Sequence, residues 1–351
     1  MNSFGKKLRV TTFGESHGTA LGGVIDGFPS GFKIDFDELM KEVAKRSPGS
    51  SSLVTQRKES DRPEFLSGIT EDGITLGSPI GFIIRNMDNR SKDYSDVANK
   101  FRPNHADYTY EAKYGIRDFR GGGRASARET ANWVVAGALA MQWLKTKEIE
   151  VDAILSGVGK VTYADELLEK LATFPMNNTN LIVPSDIKKA IEEEILLAKN
   201  NGDSIGGTVT CLIKGVSAGV GEPVGDKLHA RLAFSMMSIN AAKGFEYGLG
   251  MLSSTKRGSE ILDYFDVEDG KVITKTNFSG GIQGGISNGM PIFFNVAFKP
   301  TPTILQELPT IDKNLQTAIL KMKGRHDPCV AVRAVPVVKA MAALTIADFL
   351  L

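Results

Sequence analysis

Residues 120–144 read RGGGRASARETANWVVAGALAMQWL, and the reading of this stretch decides the fold. Its second half carries Trp133, Val134, Val135, Leu139, Met141, Trp143 and Leu144 with no polar face. A helix opening at Ala125 or Ser126 and running to about Leu144 is therefore expected to be buried. Its first half sets Gly121, Gly122 and Gly123 between Arg120, Arg124 and Arg128. Glycine lets backbone approach a ligand closely. The N–H groups at a helix start are unpaired and lie at the positive end of the dipole, and each guanidinium offers a bidentate fork to phosphate or carboxylate. Three arginines in nine residues repel one another, so the stretch predicts a bound anion; a solvated basic turn is the plainer alternative.

Outward from that stretch the chain alternates strand-like and helix-like text. Leu8–Phe13 and Gly22–Asp26 read as strands, and Asp35 as the cap of a helix reaching Lys45 with Leu39 and Val43 on one face. Short apolar runs with glycine turns from Phe65 to Ile84 predict antiparallel strands, and Asn86–Asp96 a surface loop. Further strands are expected at 149–162, 207–214 and 293–298. Further helices are expected at 164–171, 187–199, 227–237 and 337–351, the last either core or subunit interface. Asn240–Gly244 reads as a turn able to set backbone against a planar ligand, and the glycine doublets of Ser279–Ser287 as backbone lining a pocket. Strands and helices arrive in runs, which favours α+β over a doubly wound sheet. Neither GxGxxG after a strand nor GxxxxGK[ST] occurs, which disfavours Rossmann and P-loop sites.

The 351 residues suffice for a sizeable core, and the net charge of +1 makes the basic clusters local rather than a general polyanion surface. A nucleic-acid module is thereby disfavoured, although the same arginines would serve one. Cys211 and Cys329 lie far apart without metal-like spacing, no metal site is predicted, and the N-terminal text lacks a signal-peptide core; a cytoplasmic, non-membrane protein is expected. Chemistry-bearing loops recur at 14–18, 45–58, 102–128 and 324–327. His17 stands between glycines at a strand end and His105 in a polar turn, each open to a catalytic or a merely structural role. The loop 45–58 carries Lys45, Arg46, Arg57 and Lys58, and reads as a polyanion clamp or a linker. His229, among Leu228, Leu232 and Phe234, reads as structural. Together the loops support a pocket for a compact phosphorylated, carboxylated ligand with acid/base groups at hand.

RVTTFGESHG, FRPNHADYTYEAKYGIRDFRGGGRASARET, SINAAKG, GGIQGGISNG and KGRHDPC, in that order, resemble the chorismate synthase family along essentially the whole chain. The resemblance implies a single domain over residues 1–351, folded as a β-α-β sandwich with antiparallel sheets and assembled as a homotetramer. It implies the 1,4-elimination of phosphate and a ring hydrogen from 5-enolpyruvylshikimate 3-phosphate, with reduced FMN required although the reaction is redox neutral. It places His17 as proton donor to the leaving phosphate, His105 at the flavin N1–C2=O edge, and Asp327 as proton acceptor near flavin N5. FMN would be held by Arg124, Ala125, Ser126, Asn240, Ala241, Gly284, Lys299, Pro300, Thr301, Pro302, Thr303 and Arg325. The substrate anions would meet Arg46, Arg57, Arg120 and Arg128. NADPH would serve only as an external or secondary reductant, since no dedicated nicotinamide domain is recognisable. The chain departs from the family's pattern at Ser47 and Ser52, where arginine is common, and at Ala125, where serine is frequent.

Overall fold

The computed structural model describes residues 2–47, 49, 61–86, 97–173, 180–322 and 327–351. The first part of the chain forms β1 (Ser3–Phe4), β2 (Arg9–Gly14), β3 (Ala20–Asp26), α1 (Phe36–Arg46), β4 (Pro63–Phe65), β5 (Ile80–Arg85), α2 (Asp107–Tyr114) and α3 (Thr130–Lys145). Then come β6 (Glu150–Val158), β7 (Val161–Thr162), α4 (Ala164–Thr173), α5 (Ser185–Asn200), β8 (Gly207–Lys214), α6 (Leu228–Met237) and β9 (Ala242–Tyr247). Hairpins β10 (Phe265–Glu268)–β11 (Lys271–Thr274) and β12 (Ile282–Gln283)–β13 (Ile286–Ser287) precede β14 (Ile292–Phe298). The chain closes with β15 (Glu307–Ile311), β16 (Thr317–Lys321) and α7 (Ala331–Leu350).

Two five-stranded sheets, ordered β1-β2-β3-β5-β4 and β7-β6-β8-β14-β9, enclose helices, and every named strand pair is antiparallel. This is the expected α+β sandwich. Helix α3 is buried over nearly its whole length and packs on α7, which is equally apolar and lies against β6 and β8. The two helices meet at Gly137, where a Cβ would stand 2.3 Å from the Ala340 Cβ. The second sheet is covered on both faces, the outer one by α4 through Leu167, Leu168 and Leu171 against Leu212 and Phe293. Its strands β8 and β14 are therefore almost continuously buried, whereas β2 and β5 alternate as one-sided strands do.

Several boundaries differ from expectation. Helix α3 begins at Thr130 rather than at Ala125 or Ser126; two 3-10 turns, Gly123–Ala125 and Ala127–Glu129, come first, separated by an extended Ser126. Helix α7 begins at Ala331 and runs through Pro336. Proline removes one backbone donor there, but the burial of Ala331, Ala334 and Val337 offsets it. The expected turn at 240–244 is confined to Asn240 and Ala241, β9 beginning at Ala242, and within 279–287 some of the glycines pack tightly on neighbouring backbone while Gly284 faces open space. Cβ atoms on Gly280 and Gly281 would meet the Gly248 backbone and the Met290 carbonyl. Most of the loop 45–58 and of the stretch 86–96, with Arg57, Ser52 and Arg325, lies outside the described residues.

Candidate active site

The two imidazoles are joined through one buried guanidinium. His105 Nδ1 lies 2.9 Å from Asp107 Oδ1, and Asp107 takes two 2.7 Å hydrogen bonds from Arg102 and an ion pair with Arg117. Arg102 Nη2 also donates to the Gly121 carbonyl at 3.0 Å. Gly121 in turn lies flush against His17, where a Cβ would stand 2.3 Å from Nδ1. His17 itself is buried, with Ser16 Oγ 3.0 Å from its Nδ1. Burial opposes the charge of Asp107, but bonds from Arg102 and His105 outweigh it and hold the carboxyl well below the usual range. Burial, helped by Arg102 and Arg117, pushes His105 below the ordinary imidazole value despite the Asp107 bond. An ionised carboxylate only accepts, so in the neutral ring Nδ1 carries the proton and Nε2 is left as an acceptor.

The arginines of the opening stretch each meet a carboxylate of the chain itself. Arg120 forms a fork on Asp118 at the surface, Arg124 pairs with Glu129 at 2.6 Å, and Arg128 bonds Asp61. The repulsion inferred from their spacing is thus relieved in part from within. Asp61 also binds Arg46 Nη1 at 2.9 Å and the Ser47 hydroxyl at 3.1 Å. Arg46 is fully buried, with Nε on Thr130 Oγ1 and Nη2 on the Ala127 carbonyl. Burial first, then the positive charge of Arg333, lowers it to about 9. Burial works against the Asp61 charge, yet Arg46 and Arg128 together keep it below the usual range. Arg124 also reaches Thr12 Oγ1 at 2.7 Å, and buried Glu129, bonded by Thr12 and Asn132, is pushed up to about 7 by desolvation.

The expected flavin segments converge here in part. Asn240 Nδ2 donates to the Ala125 carbonyl at 2.8 Å, and Ser126 Oγ caps the second 3-10 turn at Arg128 N. Ala241 adopts a left-handed φ of 70°, its carbonyl accepting from Lys299 N at 3.0 Å. Lys299 Nζ donates to the Asn104 carbonyl, next to His105. Burial and nearby Lys243 both lower the pKa of Lys299, leaving two cations that an anion would relieve. Pro300 packs near Gly206; Thr301 binds the Asp327 carbonyl through Oγ1 at 3.1 Å; Pro302 and Thr303 continue the half-buried loop. Asp327 Oδ2 accepts from Arg333 Nη1 at 2.7 Å. Gly284 sits at the tip of the β12–β13 hairpin, φ 64°, with open space where a Cβ would point. Sequence reading passed over Asp61, Arg102, Asp107, Glu129 and Arg333. Only the Arg102 and Asp107 pair, flanking His105 within FRPNHAD, offered a local signal.

Residues 8–351 match the family model for chorismate synthase. The chain belongs to the chorismate synthase family. Chorismate synthase of Christiangramia forsetii is 53% identical over 350 residues, covering 100% of this chain and 97% of that one. That of Phocaeicola vulgatus is 54% identical over 357 residues, covering 100% and 98%. A crystal structure of chorismate synthase shares the fold with a TM-score of 0.76 at 29% identity, covering 99% of this chain and 92% of that one. The chain is accordingly a phosphate-eliminating carbon–oxygen lyase of the shikimate pathway, serving aromatic amino acid biosynthesis. Among the described residues no helix is long and apolar enough to cross a membrane.

Proposed function

We propose that the elimination of phosphate and a ring hydrogen from 5-enolpyruvylshikimate 3-phosphate takes place beside His17, His105 and Asp327, with reduced FMN as cofactor. The observation that carries this reading is the link His105–Asp107–Arg102–Gly121–His17, which sets two imidazoles in one register without exposing either. The residues fit a flavin mononucleotide. The Lys299 and Lys243 pair suits its phosphate, the Ala241 bend and the Ala125–Asn240 bridge suit a flat ring, and His105 Nε2 suits a polar ring edge. Arg124, Ser126, Gly284, Pro300, Thr301, Pro302, Thr303 and Arg325 complete the proposed set. When bound, reduced FMN supplies electron density to the departing allylic phosphate and recovers it as the ring hydrogen is lost.

The chain's own residues neutralise charge and move protons. His17, held by Ser16 and Gly121, delivers a proton to the leaving phosphate oxygen. Asp327, held against Arg333, accepts one. Arg128, Arg120 and Arg57 meet the phosphate and carboxylates; for Arg128, nearly buried, such a contact contributes about 1.5–3 kcal/mol. Arg46, its donors already engaged by Asp61, Thr130 and Ala127, contributes charge and the placement of Arg128. We further propose a single cytoplasmic domain assembled as a homotetramer, with NADPH acting only as an external reductant.

The test is anaerobic mixing with chemically reduced FMN and the enolpyruvyl substrate. Chorismate is expected without net flavin oxidation. His17→Ala and His105→Ala should each cut turnover by on the order of 100-fold with FMN still bound. Wild-type turnover in both variants removes them from the mechanism.

A further inference from the structure

We propose that Arg333 is a positioning residue for Asp327, fixing the direction of its carboxylate and tying it to the end of α1. The inference rests on the role assigned above to Asp327. Asp327 precedes α7 and is not on a helix, so no helical spacing aims its side chain. Its main chain is pinned from elsewhere. Thr301 Oγ1 binds its carbonyl at 3.1 Å, and the next carbonyl, that of Pro328, accepts from Ile205 N at 2.8 Å. These bonds hold the main chain and do not themselves engage the carboxylate. Arg333, in the first turn of α7, does engage it, Nη1 donating to Oδ2 at 2.7 Å.

The guanidinium is itself held at a second point. Its Nε donates to the main-chain carbonyl of Arg46 at 3.0 Å, at the last residue of α1. Two anchors in different directions fix the plane of the fork, which a single surface ion pair does not do. Both side chains are nearly buried, at 11% and 12% exposure, so water competes weakly for either partner. Arg333 also lines a cavity of about 20 Å³ with Arg46, Thr130 and Asn240, enough for one water. Asn240 holds the Ala125 carbonyl, so the proton acceptor, the end of α1 and the proposed cofactor segment all lie within reach of one side chain.

The experiment compares Arg333→Ala, Arg333→Lys, Asp327→Asn and the Asp327→Asn/Arg333→Ala double variant in the anaerobic assay, with thermal melts run alongside. If Arg333 aims Asp327, Arg333→Ala should lose about 100-fold in kcat, as a misplacement near 1 Å costs, while KM for the substrate stays within about threefold. Millimolar methylguanidinium should restore at least about tenfold of the lost kcat, saturably, and the double variant should be no slower than Asp327→Asn and beyond rescue. Arg333→Lys keeps a cation but cannot reach both partners, and should lose about tenfold in kcat with KM unchanged; it decides the matter where Arg333→Ala does not fold. Overturning results are a wild-type kcat in Arg333→Lys or Arg333→Ala while Asp327→Asn is slow, or losses that add fully in the double variant. Wild-type turnover in Asp327→Asn would instead refute the role given to Asp327, and the inference with it.

Discussion

Gly121→Ala tests the joint between the two imidazoles. A methyl group on Gly121 would stand 2.3 Å from His17 Nδ1, 2.6 Å from its Cε1 and 2.8 Å from Ser16 Oγ. Non-bonded heavy atoms rest near 3.5 Å apart, so the ring must retreat by about 1 Å. Gly121 has no left-handed φ, so alanine meets no backbone penalty and the effect isolates the contact. His17 is only 9% exposed and bonded to Ser16, and Gly121 is held from behind by Arg102; neither side yields easily. Overpacking of this kind costs about 1–3 kcal/mol of stability, and a reacting group displaced by about 1 Å costs on the order of 100-fold in rate. The anaerobic chorismate assay should therefore show kcat down about 100-fold, with FMN affinity retained and a double variant with His17→Ala no slower than His17→Ala alone. Gly258→Ala is the control, since nothing lies within 4 Å of its Cβ position. A Gly121→Ala enzyme within about threefold of wild type would refute the claim that this contact sets His17 for chemistry.

Glu129 and Asp348 offer further checks. Burial raises Glu129 from 4.5 to about 7, so between those values the folded chain binds the extra proton and stability falls as pH rises. The full effect is on the order of 3 kcal/mol. Glu129→Gln should remove that slope in melts taken at pH 5, 6 and 8, and parallel curves for the two proteins would contradict it. Asp348, near the end of α7, accepts from the backbone N–H of Lys6, Lys7 and Leu8 and from Arg231. Asp348→Asn loses the charge-assisted part of those bonds and should cost about 1–3 kcal/mol in urea unfolding with little change in KM; an unchanged midpoint would show that the N-terminal turn does not need it.

The sequence by itself determined the elements whose signal is local: the antiparallel strands, the buried helix after RGGGRASARET, the Asp35 cap and the motifs that identify the family. These are legible because side-chain periodicity and cap chemistry act within a few residues of where they are written. Tertiary structure alone decided how the charges pair. Asp61 satisfies Arg46 and Arg128 from 15 and 67 positions away, and Arg333 meets the Arg46 carbonyl across 287. It also decided where α3 starts, because Glu129 is drawn to Thr12 of the first sheet and Arg124 follows it. A Coulomb interaction or a hydrogen bond depends on distance in space and on exclusion of water, and neither is a property of neighbouring letters. The arginines announced positive charge that must be met, and only packing showed that carboxylates of the chain itself meet part of it.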